Sequence, residues 1–590
     1  MINILKYLKP KEWLMVLFSL GFIVTQVWLD LKMPDYMAQI TTLVQTPDSA
    51  MSDIWRAGGM MLLCTLGSLC AAIIVGYFAA IVGSALSRRL RRLLFKKVDS
   101  FSMEEINRFS TDSLITRSTN DITQIQMVVA MGLQLVIRAP ITAVWAITKI
   151  AGKGLEWTMA TGIAVLILLL LIALLMYFVL PKFRSMQSLI DNLNRVTREN
   201  LTGLRVVRAY NAHAYQEVKF DKANNDLTYT QLYTSRAMAF LMPVMTMIMS
   251  GVSLSVFWIG AYLINSAQAI DRLPVFSNMM VFSIYAMQII MSFMMLMMIF
   301  ILLPRATVSA NRISEVLDTQ ITILGGNKTE GLPGLCGEVT FENVSFKYPD
   351  AAMPVLKDVT FTAQKGETIA FIGSTGSGKS TLINLIPRFF DATQGRVLVN
   401  GVNVRDYNLE ALHNKIGYVP QKAVMFKGTV ISNVAYGDNG GSGFSEDDVK
   451  KAVAIAQSSD FVEAMENDYH SEISQGGTNV SGGQKQRLAI ARAICRKPEI
   501  YIFDDSFSAL DYKTDRLLRN MLKKETAGVI CMIVAQRIGT IMDADKIIVL
   551  DEGRVVGAGR HDELLRNCEE YKQIAASQLS EEELVRGSAS

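Results

Sequence analysis

Four long segments without a single Asp, Glu, Lys or Arg constrain this chain more than any other feature. They are Ala57–Ser87, Thr158–Leu180, Ala237–Ile270 and Leu273–Pro304. Each is longer than the roughly 20 residues that an α-helix needs to cross a bilayer. Only 19% of the 590 residues are charged, and the deficit lies in the first half. We therefore expect an integral membrane protein with at least two domains.

Hydropathy predicts six membrane spans, at roughly 13–31, 57–83, 127–149, 157–180, 238–263 and 275–303. The first span follows a short basic stretch, as a signal peptide does. No small-residue cleavage site follows it, so we expect a retained helix.

Lys and Arg are concentrated in two connections between the spans, residues 88–121 and 182–236. The opposite connections carry few, namely Lys32, Arg56, Lys149, Lys153 and Arg272. The positive-inside rule then places the two basic connections and both termini in the cytoplasm. Both connections contain little Pro or Gly, so we expect helical extensions, with one continuous helix over 185–225. The alternative is a flexible basic loop.

Two features within the spans are candidates for a substrate cavity. Methionines crowd the last span, where Met287, Met291, Met294 and Met295 either line an adaptable cavity or simply pack and face lipid. Arg138 falls within the third span, where a charge is costly. It either serves function or forms a structural ion pair, and no acidic residue is predicted deep in any span.

Charge and metal-ligand residues exclude other classes of function. The net charge of +4 is small and the basic residues form no stripe, which argues against a nucleic-acid partner. The six cysteines form no CxxC pair and the four histidines are far apart, so neither a disulfide framework nor a zinc site is indicated.

The composition changes after the last span. We predict a transmembrane domain over 1–320, a polar, Gly-rich linker over 321–335, and a third region over 336–590. This last region alternates short apolar strands with helices, the pattern of an α/β domain.

The strongest motif of the α/β domain predicts a phosphate-binding P-loop. It follows the strand at Thr368–Ile372, precedes a helix, and consists of Gly373, Ser374, Thr375, Gly376, Ser377, Gly378, Lys379, Ser380 and Thr381. Backbone amides of such a loop bind phosphates, the lysine reaches the β- and γ-phosphates, and Ser380 binds Mg²⁺. A later apolar strand, 500–504, ends in Asp504, which is suited to positioning Mg²⁺. The two motifs predict a P-loop NTPase that binds its nucleotide with Mg²⁺, and the resemblance described next implies that the nucleotide is ATP.

A third motif gives the chain a resemblance to the ATP-binding cassette transporters. It consists of Val480, Ser481, Gly482, Gly483 and Gln484 and opens a helix about 20 residues before the strand that ends at Asp504. The resemblance covers the whole chain and is closest to exporter half-transporters of the multidrug and lipid type. In that family this signature segment clamps the ATP held by the other subunit's P-loop, so the resemblance implies an obligate dimer.

Other cassette motifs carry over one by one as implications of the resemblance. Tyr348 matches the aromatic residue on which adenine stacks, and Gln421 matches the glutamine that senses Mg²⁺ and contacts the membrane domain. Glu472 falls in the exporters' X-loop. The D-loop of the family is matched by Ser508, Ala509, Leu510 and Asp511.

Two positions depart from the family pattern. Asp505 stands where active cassettes have the glutamate that polarises the attacking water, and it is one methylene shorter. Gln536 stands in place of the switch histidine, and its amide cannot carry a proton charge. Both losses fall on one nucleotide site while the signature stays intact. We therefore predict a degenerate site and a heterodimer with a competent partner; a homodimer with two slow sites is the alternative.

These features predict a subunit of an ATP-driven exporter of amphipathic or hydrophobic drugs, lipids or peptides, in a bacterial cell membrane with the cassette in the cytoplasm. The alternatives are an importer built on the exporter fold, as proposed for siderophores, and a non-transporting regulator, an ATP-gated channel or a slow homodimeric ATPase. The sequence names neither the substrate nor the partner.

Overall fold

The computed structural model describes residues 2–46, 49–151, 154–268, 271–335, 337–349, 351–437 and 443–579. Lys153 and Cys336, which entered the sequence analysis, lie outside this set. The chain forms two compact units. The first comprises residues up to Asp99 and Asp112–Thr319; the second comprises Ser100–Thr111 and the chain from Gln320 onward.

The first unit is entirely helical. Within the described residues, six helical stretches are long and apolar enough to cross a membrane, as predicted. Its elements are α1 (Ile2–Leu5), α2 (Pro10–Gln45), α3 (Met51–Asp99), α5 (Thr111–Thr116), α6 (Ile122–Ile150), α7 (Leu155–Thr202), α8 (Leu204–Ala209), α9 (His213–Ser266) and α10 (Arg272–Asp318). A short π-helical turn, Arg117–Asp121, joins α5 to α6, and α4 (Met103–Phe109) belongs to the second unit. The predicted helical extensions are present, since α3, α7, α9 and α10 all run far beyond the length of a span.

The continuous helix predicted over 185–225 is wrong. Helix α7 ends at Thr202, Gly203 follows, and α9 starts only at His213. Gly203 loses more conformational entropy in a helix than other residues do, and Asn211 adopts a left-handed backbone with φ of 50°. These residues turn the chain so that α7 and α9 run back along each other, with the short helix α8 at the turn.

Acidic residues do lie within the apolar helices, contrary to the expectation from hydropathy. Helix α2 continues to Gln45, well past the predicted end at residue 31. Asp30 forms an ion pair with Arg138 of α6 at 2.9 Å. Asp35, one turn further, pairs with Lys149 at 2.8 Å and accepts the Tyr285 hydroxyl at 2.9 Å. The acids are tolerated because each has a basic partner on the neighbouring helix.

The candidate cavity methionines of α10 differ in exposure. Met291 is 44% exposed, and Met287, Met294 and Met295 are partly buried. The core of the unit lies beside them, since Phe282, Tyr285 and Ile290 of α10 are fully buried and Met294 packs against this cluster. Phe282 also packs beside Trp157.

The described residues of the second unit form an α/β domain with three sheets. Its strands are β1 (Val339–Phe346), β2 (Leu356–Ala363), β3 (Thr368–Gly373), β4 (Gln394–Val399), β5 (Val402–Asn403), β6 (Ile416–Val419), β7 (Gly428–Thr429), β8 (Glu472–Ile473), β9 (Ile500–Asp504), β10 (Ile530–Val534), β11 (Lys546–Asp551) and β12 (Arg554–Gly559). Its further helices are α11 (Lys379–Asn384), α12 (Leu409–Asn414), α13 (Val430–Val434), α14 (Glu446–Ile455), α15 (Ser459–Val462), α16 (Gly482–Cys495), α17 (Tyr512–Glu525), α18 (Ile538–Ile541), α19 (His561–Asn567) and α20 (Glu569–Ala576).

The order of the central sheet decides where chemistry can occur. Six strands lie in the order β12-β11-β3-β10-β9-β6, and all except β12 are parallel to their neighbours. The carboxyl ends of β3, β10, β9 and β6 therefore meet at one edge, where ligands of open α/β sheets bind. An antiparallel sheet, β2-β1-β4-β5, and the pair β7-β8 complete the domain.

Candidate nucleotide-binding site

The P-loop connects the end of β3 to the start of α11. Gly373 and Gly378 both have positive φ, 155° and 97°. A Cβ on Gly373 would lie 1.9 Å from the Leu550 carbonyl oxygen, and one on Gly378 would lie 2.8 Å from a Leu356 methyl. Glycine is thus required at both positions. The tight turn leads into the first backbone amides of α11, and a helix that begins after a glycine-rich turn is suited to binding phosphate.

Lys379 and Ser380 begin α11 and face the loop and the sheet edge. The Lys379 ammonium donates to the carbonyl oxygens of Gly373 and Ser374, at 2.9 and 2.7 Å. Burial lowers the pKa of Lys379, and the carboxylates of Asp505 and Asp504 oppose that shift. A partly buried ammonium interacts more strongly with the charge of a bound phosphate than one fully exposed to water does.

Asp504, the last residue of β9, accepts the Ser380 hydroxyl at 2.8 Å. Burial raises the pKa of Asp504, and the hydrogen bond from Ser380 opposes this. A hydroxyl and a carboxylate are oxygen ligands of the kind that Mg²⁺ uses together with water and substrate phosphates. Among the described residues, no three His, Cys, Asp or Glu side chains form a metal cluster. Ser380 and Asp504 are in contact and offer two oxygens of the kind that Mg²⁺ binds.

Asp505 lies next to Asp504 and is held by two amides. Its Oδ2 accepts Gln536 Nε2 at 2.8 Å and Gln421 Nε2 at 3.4 Å. Burial raises the pKa of Asp505, while hydrogen bonds from Gln421 and Ser508 oppose the shift. The three side chains converge because they follow β9, β10 and β6, whose carboxyl ends are adjacent in the sheet.

The predicted magnesium ligands meet only in part. Ser380 and Asp504 are in contact, whereas the Gln421 amide contacts Asp505 instead. Tyr348 lies beside the P-loop helix, with its hydroxyl 3.0 Å from the Thr381 hydroxyl. Its partly buried ring packs edge-on against Phe390.

The signature segment forms the beginning of α16. Ser481 caps the helix by accepting the Gln484 amide at 3.3 Å, and the Gln484 side chain accepts the Ser481 amide at 2.8 Å. Ser481 and Gly482 are exposed, while Val480 is buried and anchors the segment. The exposed hydroxyl and amides at the start of a 14-residue helix are suited to an anionic ligand brought by another molecule.

The D-loop contacts both Asp505 and the helix that carries the signature segment. Ser508 donates its hydroxyl to the Asp505 carbonyl oxygen at 2.9 Å. The Ala509 carbonyl oxygen lies 3.3 Å from where a Cβ on Gly483 would stand. Asp511 ends the loop by capping α17, accepting the Thr514 amide at 3.0 Å. Glu472 of β8 is exposed and pairs with Thr429 of β7.

Two residues that touch the site were missed by sequence reasoning. Asp551, at the end of β11, accepts the Ser374 hydroxyl at 3.3 Å; the signal was its place at the end of an apolar strand. Gln578 contacts the backbone around Gln536 from beyond α20, and no sequence pattern marks it.

The sequence of this chain matches two families of known proteins. The model of a family described as ABC transporter matches residues 356–508, and that of the ABC transporter transmembrane region matches residues 16–293. An ABC transporter ATP-binding protein of Mycobacterium tuberculosis (strain H37Rv) is 40% identical over 522 residues, 88% of this chain and 87% of the relative. A protein of the same description from Bacillus subtilis, YfiB, is 34% identical over 589 residues, 98% of each chain.

Two further matches extend the comparison. An ATP-dependent lipid A-core flippase of Pseudomonas fluorescens is 30% identical over 507 residues, 85% of this chain and 82% of the relative. The solved structure of a bacterial Atm1-family ABC exporter with ATP bound matches with a TM-score of 0.78 and 23% identity, over 97% of this chain and 98% of that one. The fold predicted from the sequence, six apolar helices followed by an α/β cassette, is confirmed.

Proposed function

This chain belongs to the ABC transporter family, and we propose that it is one subunit of a heterodimeric, ATP-driven exporter whose own ATP site hydrolyses weakly. Its cargo is an amphipathic or hydrophobic compound, such as a drug, lipid or peptide. The membrane is a bacterial cell membrane, and the cassette lies on the cytoplasmic side with the basic connections. The lipid A-core flippases among its relatives support a hydrophobic cargo.

The observation that carries the proposal is the pairing of Asp505 with Gln536. A residue that polarises the attacking water needs a basic group within hydrogen-bond reach of that water. The Asp505 carboxylate is short, buried, and occupied by the Gln536 amide at 2.8 Å. Gln536 cannot take up or release a proton to assist Asp505, because an amide does not titrate. A site with this pair can bind the nucleotide, but it is poorly suited to hydrolysing it.

The intact parts of the site support binding. Lys379 and Ser380 hold the phosphates and Mg²⁺, Asp504 holds Mg²⁺, and Tyr348 stacks on adenine. Mg²⁺ held by Ser380 and Asp504 would supply positive charge that offsets the charge of the phosphates. The exposed signature at Ser481 binds the γ-phosphate of the partner's ATP. The signature segment of this chain thus completes the ATP site of the competent partner, while the P-loop of this chain retains ATP at its own site.

The test is ATP hydrolysis by the full-length chain purified without a partner and reconstituted in nanodiscs. The proposal predicts tight MgATP binding with turnover far below the roughly 1–10³ per second typical of enzymes. Turnover at a normal transporter rate by the chain alone would overturn the degenerate-site proposal.

A further inference from the structure

The C-terminal turn, residues 577–579 after α20, contacts the chain that follows β10 at two points. We call that part of the chain, residues 536–538, the switch segment. Gln578 Nε2 donates to the Gln536 carbonyl oxygen at 2.9 Å. Gln578 Oε1 accepts the Ile538 amide at 2.8 Å. One side-chain amide therefore uses both of its ends on backbone groups two residues apart, which fixes the segment between them.

These contacts replace a helix cap that the local sequence lacks. Ile538 begins α18, and its N-cap residue, Arg537, makes no side-chain capping hydrogen bond. The first amides of a helix need acceptors from outside the helix. Gln578 supplies one from a distant part of the chain, so the position of α18 depends on the C-terminal turn.

The turn that carries Gln578 is itself well anchored. Tyr571 of α20 is fully buried, and its hydroxyl lies 2.7 Å from Nδ1 of the buried His561. Ala575 is also fully buried, and its carbonyl oxygen accepts the amides of Gln578 and Leu579 at 3.0 and 2.8 Å. Because this backbone is already ordered, the entropy lost when Gln578 binds the switch segment is chiefly that of its own side chain.

The segment that Gln578 holds carries the side chain that meets Asp505. Strand β10 ends at Val534, so Gln536 is no longer held by the sheet. Its side chain reaches Asp505 Oδ2 at 2.8 Å while its carbonyl oxygen is held by Gln578. Two hydrogen bonds, one to the backbone and one from the side chain of Gln536, thus link Gln578 to Asp505.

We propose that Gln578 is a positioning residue for the nucleotide site, acting through Gln536. This inference rests on the proposed function, in which Gln536 faces the γ-phosphate of ATP retained at this site. Loss of the Gln578 amide frees the switch segment, and bound ATP then leaves faster.

The experiment measures dissociation of a fluorescent ATP analogue, bound with Mg²⁺ to the full-length chain in nanodiscs, after a chase with unlabelled ATP. Removal of hydrogen bonds worth about 1 kcal/mol corresponds to roughly fivefold faster dissociation, which we expect for Gln578→Ala. Gln578→Glu keeps the acceptor for Ile538 but places a carboxylate against the Gln536 carbonyl, and should also accelerate dissociation. The matched control is Gln573→Ala, at an exposed position of α20.

A double-mutant cycle separates positioning from general stability. If Gln578 acts through Gln536, Gln578→Ala has no further effect in a Gln536→Ala background. A fivefold effect that persists in that background, or the absence of any effect in the native background, would overturn the inference. If Gln578→Ala lowers the melting temperature, the same comparison is made with Gln578→Glu. The hydrolysis rate of the same preparation tests the proposed function separately, because dissociation is measured whether or not the chain turns over ATP.

Discussion

The side-chain amide of Gln536 donates to the carboxylate of Asp505 at 2.8 Å. The two positions that depart from the family pattern are therefore in direct contact. A carboxylate that already accepts an amide proton is a weaker acceptor for the proton of an attacking water. The two substitutions act as a unit, which leads to the first prediction.

Restoring both residues should raise hydrolysis by the purified chain. Asp505→Glu extends the carboxylate by one methylene, and Gln536→His supplies a group that can carry charge. Because a misplacement of about 1 Å can cost roughly a hundredfold, we expect the double variant to gain at least about tenfold in ATPase rate. Each single variant should gain less, since effects of residues that act together are not additive.

Controls for this variant use the same chemical changes elsewhere. Asp447→Glu and Gln573→His change exposed residues of α14 and α20, and neither should alter the rate. An unchanged rate in the double variant would mean that geometry elsewhere limits the site.

Substitutions in the signature segment and in the P-loop of this chain should lower the ATPase rate of the complex with its partner to different extents. Ser481→Arg places bulk and charge where the partner's γ-phosphate binds, and loss of such a contact costs about 10²–10³ in rate. Lys379→Ala impairs only the weakly hydrolysing site, and we expect less than a tenfold loss. Lys365→Ala, at an exposed lysine, is the control. Equal losses for Ser481→Arg and Lys379→Ala in steady-state ATPase assays would contradict an asymmetric pair of sites.

The intramembrane pair of Asp30 and Arg138 should stabilise the helical unit. Asp30→Asn leaves a guanidinium without its counter-charge, and we expect a loss of about 2 kcal/mol, seen as a lower melting temperature in detergent. The reversed pair, Asp30→Arg with Arg138→Asp, should recover part of that loss.

An exposed ion pair supplies the control for the membrane pair. Lys6 and Asp318 are 3.8 Å apart with side chains 53% and 58% exposed, so Asp318→Asn should cost under about 1 kcal/mol. A melting temperature unchanged by Asp30→Asn would show that the pair has no structural role.

The buried Asp505 carboxylate should make stability depend on pH. Its pKa is raised above the ordinary 3.8, chiefly by burial, so the folded protein binds the proton more tightly than the unfolded chain does. At neutral pH the ionised group therefore costs stability, and the cost disappears as the pH falls through the raised pKa toward 3.8. Asp505→Asn should raise the melting temperature at pH 7.5, and the gain should shrink on acidification. A gain that is constant from pH 7.5 to pH 4.5 would contradict this.

The helices and the P-loop were predictable because each follows from local pattern. Long apolar segments, four of them without any charged residue, predicted the six spans, and the glycines around Lys379 predicted the phosphate site. The predicted end of the first span, residue 31, fell short of the observed helix end at Gln45 because Asp30 and Asp35 lowered the local hydropathy. Their partners, Arg138 and Lys149, are more than 100 residues away, and a hydropathy window cannot include them.

The contacts within the site required the sheet order. The sequence placed Asp505 and Gln536 at one nucleotide but could not pair them, because their contact depends on β9 and β10 being neighbours. The role of Gln578 was beyond prediction for a similar reason. A glutamine near a chain end resembles any surface residue until its distance to the Gln536 carbonyl is known.

The most direct test of the central claim is the subunit composition of the tagged protein, extracted gently from its native membrane and weighed by native mass spectrometry. The proposed heterodimer predicts a complex of this chain with a second chain of similar size. That partner should carry a glutamate where this chain has Asp505 and a histidine where it has Gln536. A dimer of this chain alone would contradict the heterodimer and make the Asp505–Gln536 pair a feature of a slow, symmetric ATPase.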